Sequence, residues 1–316
     1  MKIVFLDFST LGALDIRRFE DFGIVEVYET TSPDETAYRV ADADIVVTNK
    51  VVMDEAAILQ APKLKLICVA ATGVNNINLE AAKKAGVAVA NVAGYSTESV
   101  VAQTFAIYFH LAHHNAYYDR YGKNEWVKSE IFTHHIREFH NLAGRRWGII
   151  GLGTIGKRVA QVASAFGCDV VYYSTSGKNS DTTYPQLSLS ELLASCDVIS
   201  IHAPLNDKTN NLIAADELAQ MKKTALLLNL GRGGIVNESD LADAIEMGKI
   251  GGAGLDVLAS EPPKPENKLF KIKKSYNIFI SPHIAWASVE ARKTLVEEIY
   301  ENINAFKNNQ SRNRVV

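Results

Sequence analysis

From Lys2 onward, short runs of β-branched and aliphatic residues alternate with amphipathic segments of helical period. KIVFLDF, IVEVYE, DIVVTN, LKLICVAA and VAVANV read as strands. PDETAYRVADA, DEAAILQAP and NLEAAKKAG between them read as helices, the last closed by Gly86 where a helix C-cap glycine belongs. Parallel neighbours cannot be joined by a tight hairpin; they need a crossover, and a helix supplies it, so the alternation predicts βαβ units and parallel sheets. A long helical pattern, STESVVAQTFAIYFHLAHHNAYYDRY, follows, and then a polar, aromatic stretch (122–142) of weak periodicity that reads as loop. A second series opens at RRWGIIGLGTIG, with strands WGIIGLG, DVVYYS, DVISIHA, ALLLNLG, GGAGLDV and NIFISPH. Ser188 with Glu191, and Asn237 with Asp240, give capping-box-like starts to two intervening helices. A last amphipathic segment, about 286–308, returns toward the first series. The expected fold class is α/β, with two parallel-sheet domains, the second larger, and a cleft between them as the default place for a site.

The 316 residues suffice for two domains of roughly 100–200 residues each. A formal net charge of −3, with no dense Lys/Arg block, gives no reason to expect nucleic-acid or anionic-membrane partners. No apolar run approaches the ~18–20 residues of a membrane span. The start, MKIVFLDFST, reads as a first strand rather than a signal peptide. Cys68, Cys168 and Cys196 are widely spaced, odd in number and without a C-x-x-C, the pattern of buried free thiols in a reducing cytoplasm.

The loop GIIGLGTIGKRVAQ places Gly151-x-Gly153-x-x-Gly156 between an apolar strand and a helix. Gly151 serves the tight turn, Gly153 lets a pyrophosphate approach the backbone, and Gly156 lets helix and strand pack; the helix N-terminus then stabilises the phosphates. A bare GxGxxG is a weak signal, but in this strand–turn–helix context it points to dinucleotide binding. The acid that would hold the adenine ribose 2′-OH is expected about 20 residues on. Ser174 stands there instead, and no acid appears before Asp181. Ser174, Thr175, Ser176 and Lys178 are able to donate to a 2′-phosphate, or to lie exposed beside bound NAD, so the residues leave NAD and NADP both open.

Three further strand ends carry unusual polar residues: Arg232 in LLLNLGRGG, Asp256 and Glu261 in GAGLDVLASEPP, and His283 in SPHIAW. Ligands of open parallel sheets bind at the carboxyl ends of the strands. A guanidinium there binds a carboxylate in two-pronged fashion and polarises a neighbouring carbonyl. A histidine delivers a proton to that carbonyl as hydride arrives, and a carboxylate on the other ring nitrogen orients it and favours its protonated form. Singly, an arginine in a turn or a glutamate before Pro-Pro is most often solvated surface. Together, at successive strand ends behind a nucleotide loop, Arg232, Glu261 and His283 read as a catalytic set.

With these residues in place the chain resembles the D-isomer-specific 2-hydroxyacid dehydrogenase family. The resemblance covers nearly the whole sequence: ATGVNNINLEAAKKAGVAVANVAGYSTESVVAQ, LAGRRWGIIGLGTIGKRVA, SCDVISIHAPLNDKTNNLI, LLNLGRGGIVNESDLADAI, AGLDVLASEPP and SPHIAWAS. It implies two Rossmann-like, doubly wound parallel-sheet domains, with a cofactor domain (99–285) inserted into a flavodoxin-like substrate domain (1–98 plus 286–316). It implies Arg232 as substrate clamp, Glu261 as the partner of the histidine and His283 as proton donor. Thr72, Gly73 and Val74 resemble the loop whose backbone N–H groups hold the substrate carboxylate, and Lys50 belongs with the same substrate contacts. Thr154 and Ile155 would join Gly151, Gly153, Gly156 and Ser174 on the cofactor. His202, Ala203 and Pro204 would border the adenosine half, with Leu230 and Asp256 near the nicotinamide. TNKVV, GYSTESVVAQ and PHIAWAS look most like the glycerate dehydrogenase/hydroxypyruvate reductase branch, and the family's habit of pairing suggests a homodimer through the cofactor domain, the stretch 113–142 contributing.

Two other readings compete. Some relatives of this fold use the nucleotide as a sensor ligand and act by binding partner proteins, and D-lactate-type or other 2-oxo acids are alternative substrates. A metal is not expected: HHIREFH and the pair His113–His114 lack any ligand spacing, and adjacent helical residues point about 100° apart.

Overall fold

The computed structural model describes residues 1–179, 181–273 and 275–316. The chain divides into two compact units, Met1–Ser96 with Ala287–Val316, and Thr97–Trp286, so the second interrupts the first.

The first unit holds β1 (Lys2–Phe5), β2 (Ile24–Val27), β3 (Ile45–Thr48), β4 (Leu66–Val69) and β5 (Ala88–Ala90), all parallel in the order β2-β1-β3-β4-β5. β3 and β4 are buried at every position, which explains why they read as unbroken apolar runs rather than as alternating ones. The crossovers carry α1 (Pro33–Val40), α2 (Glu55–Leu59) and α3 (Leu79–Lys84). Ser32 and Glu35 form a full capping box before α1, and Gly86, at φ +70°, follows the end of α3. One sheet face packs Val4, Val46, Ile67 and Val69 against Ile58, Ala81 and Ala82. The returning helix Val289–Lys307 belongs to this unit, where Tyr300 sets its ring edge-on to Phe19 at 5.6 Å and Asn302 donates to Asn91 O at 3.0 Å.

The second unit opens with α4 (Thr97–Ala112) and α5 (Asn115–Asn124). The sequence pattern predicts one long helix here. It breaks because His114 takes a left-handed conformation, φ +52°, and its N–H turns back to Leu111 O instead of continuing the ladder. Six parallel strands follow: β6 (Arg146–Ile150), β7 (Asp169–Tyr173), β8 (Val198–Ile201), β9 (Leu226–Asn229), β10 (Gly252–Leu255) and β11 (Ile278–Ile280), ordered β11-β10-β9-β8-β6-β7. The strand order reverses between β6 and β8, and the crevice at such a switch point is where these sheets take nucleotides. The crossovers carry α6 (Thr154–Ala165), α7 (Leu189–Ser195), α8 (Ala215–Gln220) and α9 (Glu238–Glu246).

Trp147 in β6 is fully buried against Phe105 of α4, ring centroids 4.9 Å apart, and its indole N–H donates to Ser200 Oγ at 2.8 Å. On the other sheet face Ile150, Ile199 and Leu227 pack with Leu192, Leu241 and Ile245. Ser188 and Glu191 complete their capping box. Asn237 caps α9 through Asp240 N, but the Asp240 carboxylate accepts from Ala215 N at 3.0 Å, so only half of the second box forms. Among the described residues no helix is long and apolar enough to cross a membrane, and no group of His, Cys, Asp or Glu could hold a metal ion.

Candidate active site

The glycine loop lies where β6 meets α6. Gly151, at φ +92°, turns the chain while its N–H donates to Tyr173 O at 3.0 Å. A Cβ on Gly156 would stand 2.2 Å from Gly151 O, so no larger residue fits there without parting helix from strand. Gly153 differs: a Cβ there would meet nothing within 4 Å, so its backbone is open to a ligand. Gly153 is the N-cap of α6, and Thr154 and Ile155 begin the helix, where N–H groups have no intrahelical acceptor. No acid stands in that first turn to compete with a phosphate.

A cleft of about 580 Å³ adjoins this loop, lined by Gly151, Gly153, Ser174, Lys178, His202 and Lys208 among others. Both ring nitrogens of His202 are buried without a hydrogen-bond partner among the described residues, and burial pushes the imidazole down to about 3, so the ring is neutral. Orphaned ring nitrogens on the wall, an open Gly153 and an acid-free helix N-terminus fit a nicotinamide dinucleotide. Ser174 is buried at the end of β7. Asp181, the first acid after the glycines, is engaged elsewhere: Lys157 Nζ lies 2.8 Å from its carboxylate, which also accepts from Thr183 N. That lysine and those donors hold it at about 2.

The second cluster sits at the carboxyl edge of β9, β10 and β11, adjacent strands in one parallel sheet. Beyond β9, Asn229 shapes the arginine loop by accepting from Gly231 N and donating to Arg232 O at 2.9 Å. Arg232 is half-buried, donates through Nη1 to Gly231 O, and carries no ion pair among the described residues. The next residue, Gly233, lies so close to Leu258 that a Cβ would stand 1.9 Å from Leu258 O. Leu258 N in turn donates to Glu261 Oε1 at 3.0 Å, and Glu261 Oε2 lies 2.7 Å from His283 Nδ1. The structure therefore joins Glu261 to His283 directly and brings the loop of Arg232 against the segment that holds Glu261. The His283 side chain is 21% exposed, and Nε2 makes no hydrogen bond among the described residues.

Asp256, buried at the end of β10, gives both carboxylate oxygens to the histidine loop: Ser281 Oγ (2.6 Å) and Ile284 N (3.0 Å) on one, Ala285 N (2.9 Å) on the other. Burial raises this carboxyl above its ordinary value, and the three donors oppose that rise. Leu230 and Ala203 are buried at the ends of β9 and β8, where they floor the edge.

In the first unit, Lys50 lies just beyond β3 and Thr72-Gly73-Val74 just beyond β4. The two loops are tied by Asn76, whose amide donates to Val51 O at 2.9 Å, and by Met53 N donating to Asn76 O. The buried carboxylate of Asp7 accepts from the N–H groups of Asn49, Lys50 and Val51 and sets that turn. Neither Asp7 nor Asn76 was singled out by sequence reasoning; an acid ending the apolar run of β1 was the available signal.

Comparison with known proteins gives the family. Residues 104–285 match the family described as D-isomer specific 2-hydroxyacid dehydrogenase, NAD binding domain. A glycerate dehydrogenase of Methylorubrum extorquens is 37% identical over 310 residues, covering 96% of each protein. A hydroxypyruvate reductase of Blautia hydrogenotrophica is 35% identical over 316 residues, 97% of each. Among solved structures, an acyclic imino acid reductase (Bsp5) in complex with NADPH and D-Arg superposes with a TM-score of 0.89 at 26% identity, covering 100% of both chains. The family match spans more than half of the chain and both relatives align from end to end, so this protein belongs to the D-isomer-specific 2-hydroxyacid dehydrogenase family and is a nicotinamide-dependent oxidoreductase of 2-hydroxy acids.

Proposed function

We propose that the chain reduces hydroxypyruvate to D-glycerate, with glyoxylate as a second substrate and His283 as the proton donor. The observation that carries this is the 2.7 Å contact between His283 Nδ1 and Glu261, which leaves Nε2 for a substrate oxygen beside the loop of Arg232. A reduced nicotinamide dinucleotide, which Gly151, Gly153, Thr154 and Ile155 would hold, would supply the hydride to C2. The carbonyl electron pair moves onto oxygen, which takes the proton from His283 Nε2. Glu261 fixes the ring's orientation, and Arg232 binds the substrate carboxylate and draws electron density from the carbonyl. The backbone N–H groups of Thr72–Val74, with Lys50, are assigned to the substrate on the family resemblance. Likeness to a glycerate dehydrogenase and a hydroxypyruvate reductase supports the small, polar substrate. The test is a panel of 2-oxo acids compared by kcat/KM: hydroxypyruvate and glyoxylate are expected to lead, and a preference for pyruvate or a branched 2-oxo acid would refute the substrate assignment.

The cofactor reading is that NADPH serves at least as well as NADH. Ser174, Thr175, Ser176 and Lys178 line the cleft, while Asp181 is spent on Lys157. Ser174→Asp is expected to lower the NADPH/NADH ratio of kcat/KM by about tenfold or more, because a carboxylate beside a 2′-phosphate loses ~1.4 kcal/mol or more. An unchanged ratio would count against it.

The same reading includes a homodimer through 113–142, where Val127 and Phe132 are each 88% exposed. Sedimentation is expected to give twice 34.7 kDa; a monomer mass would contradict this. Three free cysteines support work in a reducing cytoplasm.

A further inference from the structure

We infer that Asp256 is the positioning residue for His283: it acts through the histidine loop, and nicotinamide contact is not its main work. The inference rests on the reading of His283 as proton donor. His283 has φ +54°, a left-handed backbone that non-glycine residues rarely adopt and that persists only where the surroundings impose it. Here Asp256 imposes it from two sides. The Asp256 carbonyl accepts from His283 N at 2.9 Å, and its carboxylate takes the next two N–H groups, of Ile284 and Ala285, one on each oxygen. Successive N–H groups following a left-handed residue form a concave nest for an anion, and the buried carboxylate fills it. Ser281 Oγ pins the same carboxylate from the strand side at 2.6 Å, and Ser99 Oγ anchors the far end through Ala285 O at 2.6 Å. Two residues beyond Asp256, Leu258 N holds Glu261. One short segment, 256–258, thus fixes both members of the His283–Glu261 pair.

An amide in place of the carboxylate can present only one acceptor oxygen, so Asp256→Asn must release part of the nest while keeping size. The test compares Asp256→Asn, His283→Ala and the double variant, each shown to be folded by its thermal transition and to bind NADH by fluorescence. Asp256→Asn is expected to lower kcat about 100-fold, the scale of a small misplacement of a catalytic group, with KM for NADH near its native value. The double variant should be no slower than His283→Ala alone, since residues acting as a unit are not additive. A raised KM for NADH at near-native kcat, or losses that multiply in the double variant, would overturn the inference and point to a direct cofactor contact. If Asp256→Asn does not fold, Ser281→Ala, which removes one donor to the same carboxylate, carries the test: a smaller loss of kcat absent from the His283→Ala background supports positioning, and unchanged kcat overturns it. His283→Ala at native turnover would sink the proton-donor reading and this inference with it, whereas a slow His283→Ala beside a fully active Asp256→Asn would sink the inference alone.

Discussion

Replacing His283 by alanine is expected to lower kcat for reduction by about 10²–10⁴, the usual contribution of a positioned acid–base group. KM for NADH should change little, because proton delivery is needed only in the transition state. Glu261 occupies Nδ1 at 2.7 Å, which fixes the orientation of the ring, and Nε2 makes no hydrogen bond among the described residues. The loss corresponds to about 3–5 kcal/mol of transition-state stabilisation. Glu261→Gln, which keeps the size but not the charge, should fall between wild type and His283→Ala. Steady-state rates on folded variants check both, and near-native turnover by His283→Ala would remove the proton-donor assignment.

Arg232→Ala should raise KM for the 2-oxo acid and lower kcat together. Truncating one partner of a desolvated, hydrogen-bonded charge pair costs about 2–5 kcal/mol, or roughly 30- to 5,000-fold in kcat/KM. The guanidinium is half-buried, donates to the carbonyl of its own neighbour Gly231 at 2.8 Å, and forms no ion pair with a protein carboxylate among the described residues. Arg232→Lys restores the charge but not the two-pronged fork, and should recover only part of the loss. Equal kcat/KM in Arg232→Ala and wild type, at subsaturating hydroxypyruvate, would show that the substrate carboxylate is held elsewhere.

The sheets were legible because buried parallel strands leave unbroken apolar runs, and β3, β4 and β8 are such runs. The strand ends were legible for a related reason. A parallel sheet sends every carboxyl end to one edge, so the loops of Arg232, Glu261 and His283 share that edge although 51 positions separate the first from the last. Other features depend on distant partners and leave no local trace. The break at His114 falls inside a stretch whose residues all tolerate helix, and the left-handed turn appears only in the folded chain. Asp240 looks like a capping-box acid, yet its carboxylate is taken by Ala215, 25 residues away. Asp256 reads as one polar residue at a strand end, and its hold on the loop 281–285 needs the pairing of β10 with β11 to become visible.

The most direct test is the initial rate of NADH oxidation by the purified chain with saturating hydroxypyruvate, with D-glycerate measured in the same samples. Expected is one D-glycerate formed for each NADH consumed, and no consumption without the 2-oxo acid. Neither NADH nor NADPH oxidised, though bound, with hydroxypyruvate, glyoxylate and the wider panel alike, would contradict the account.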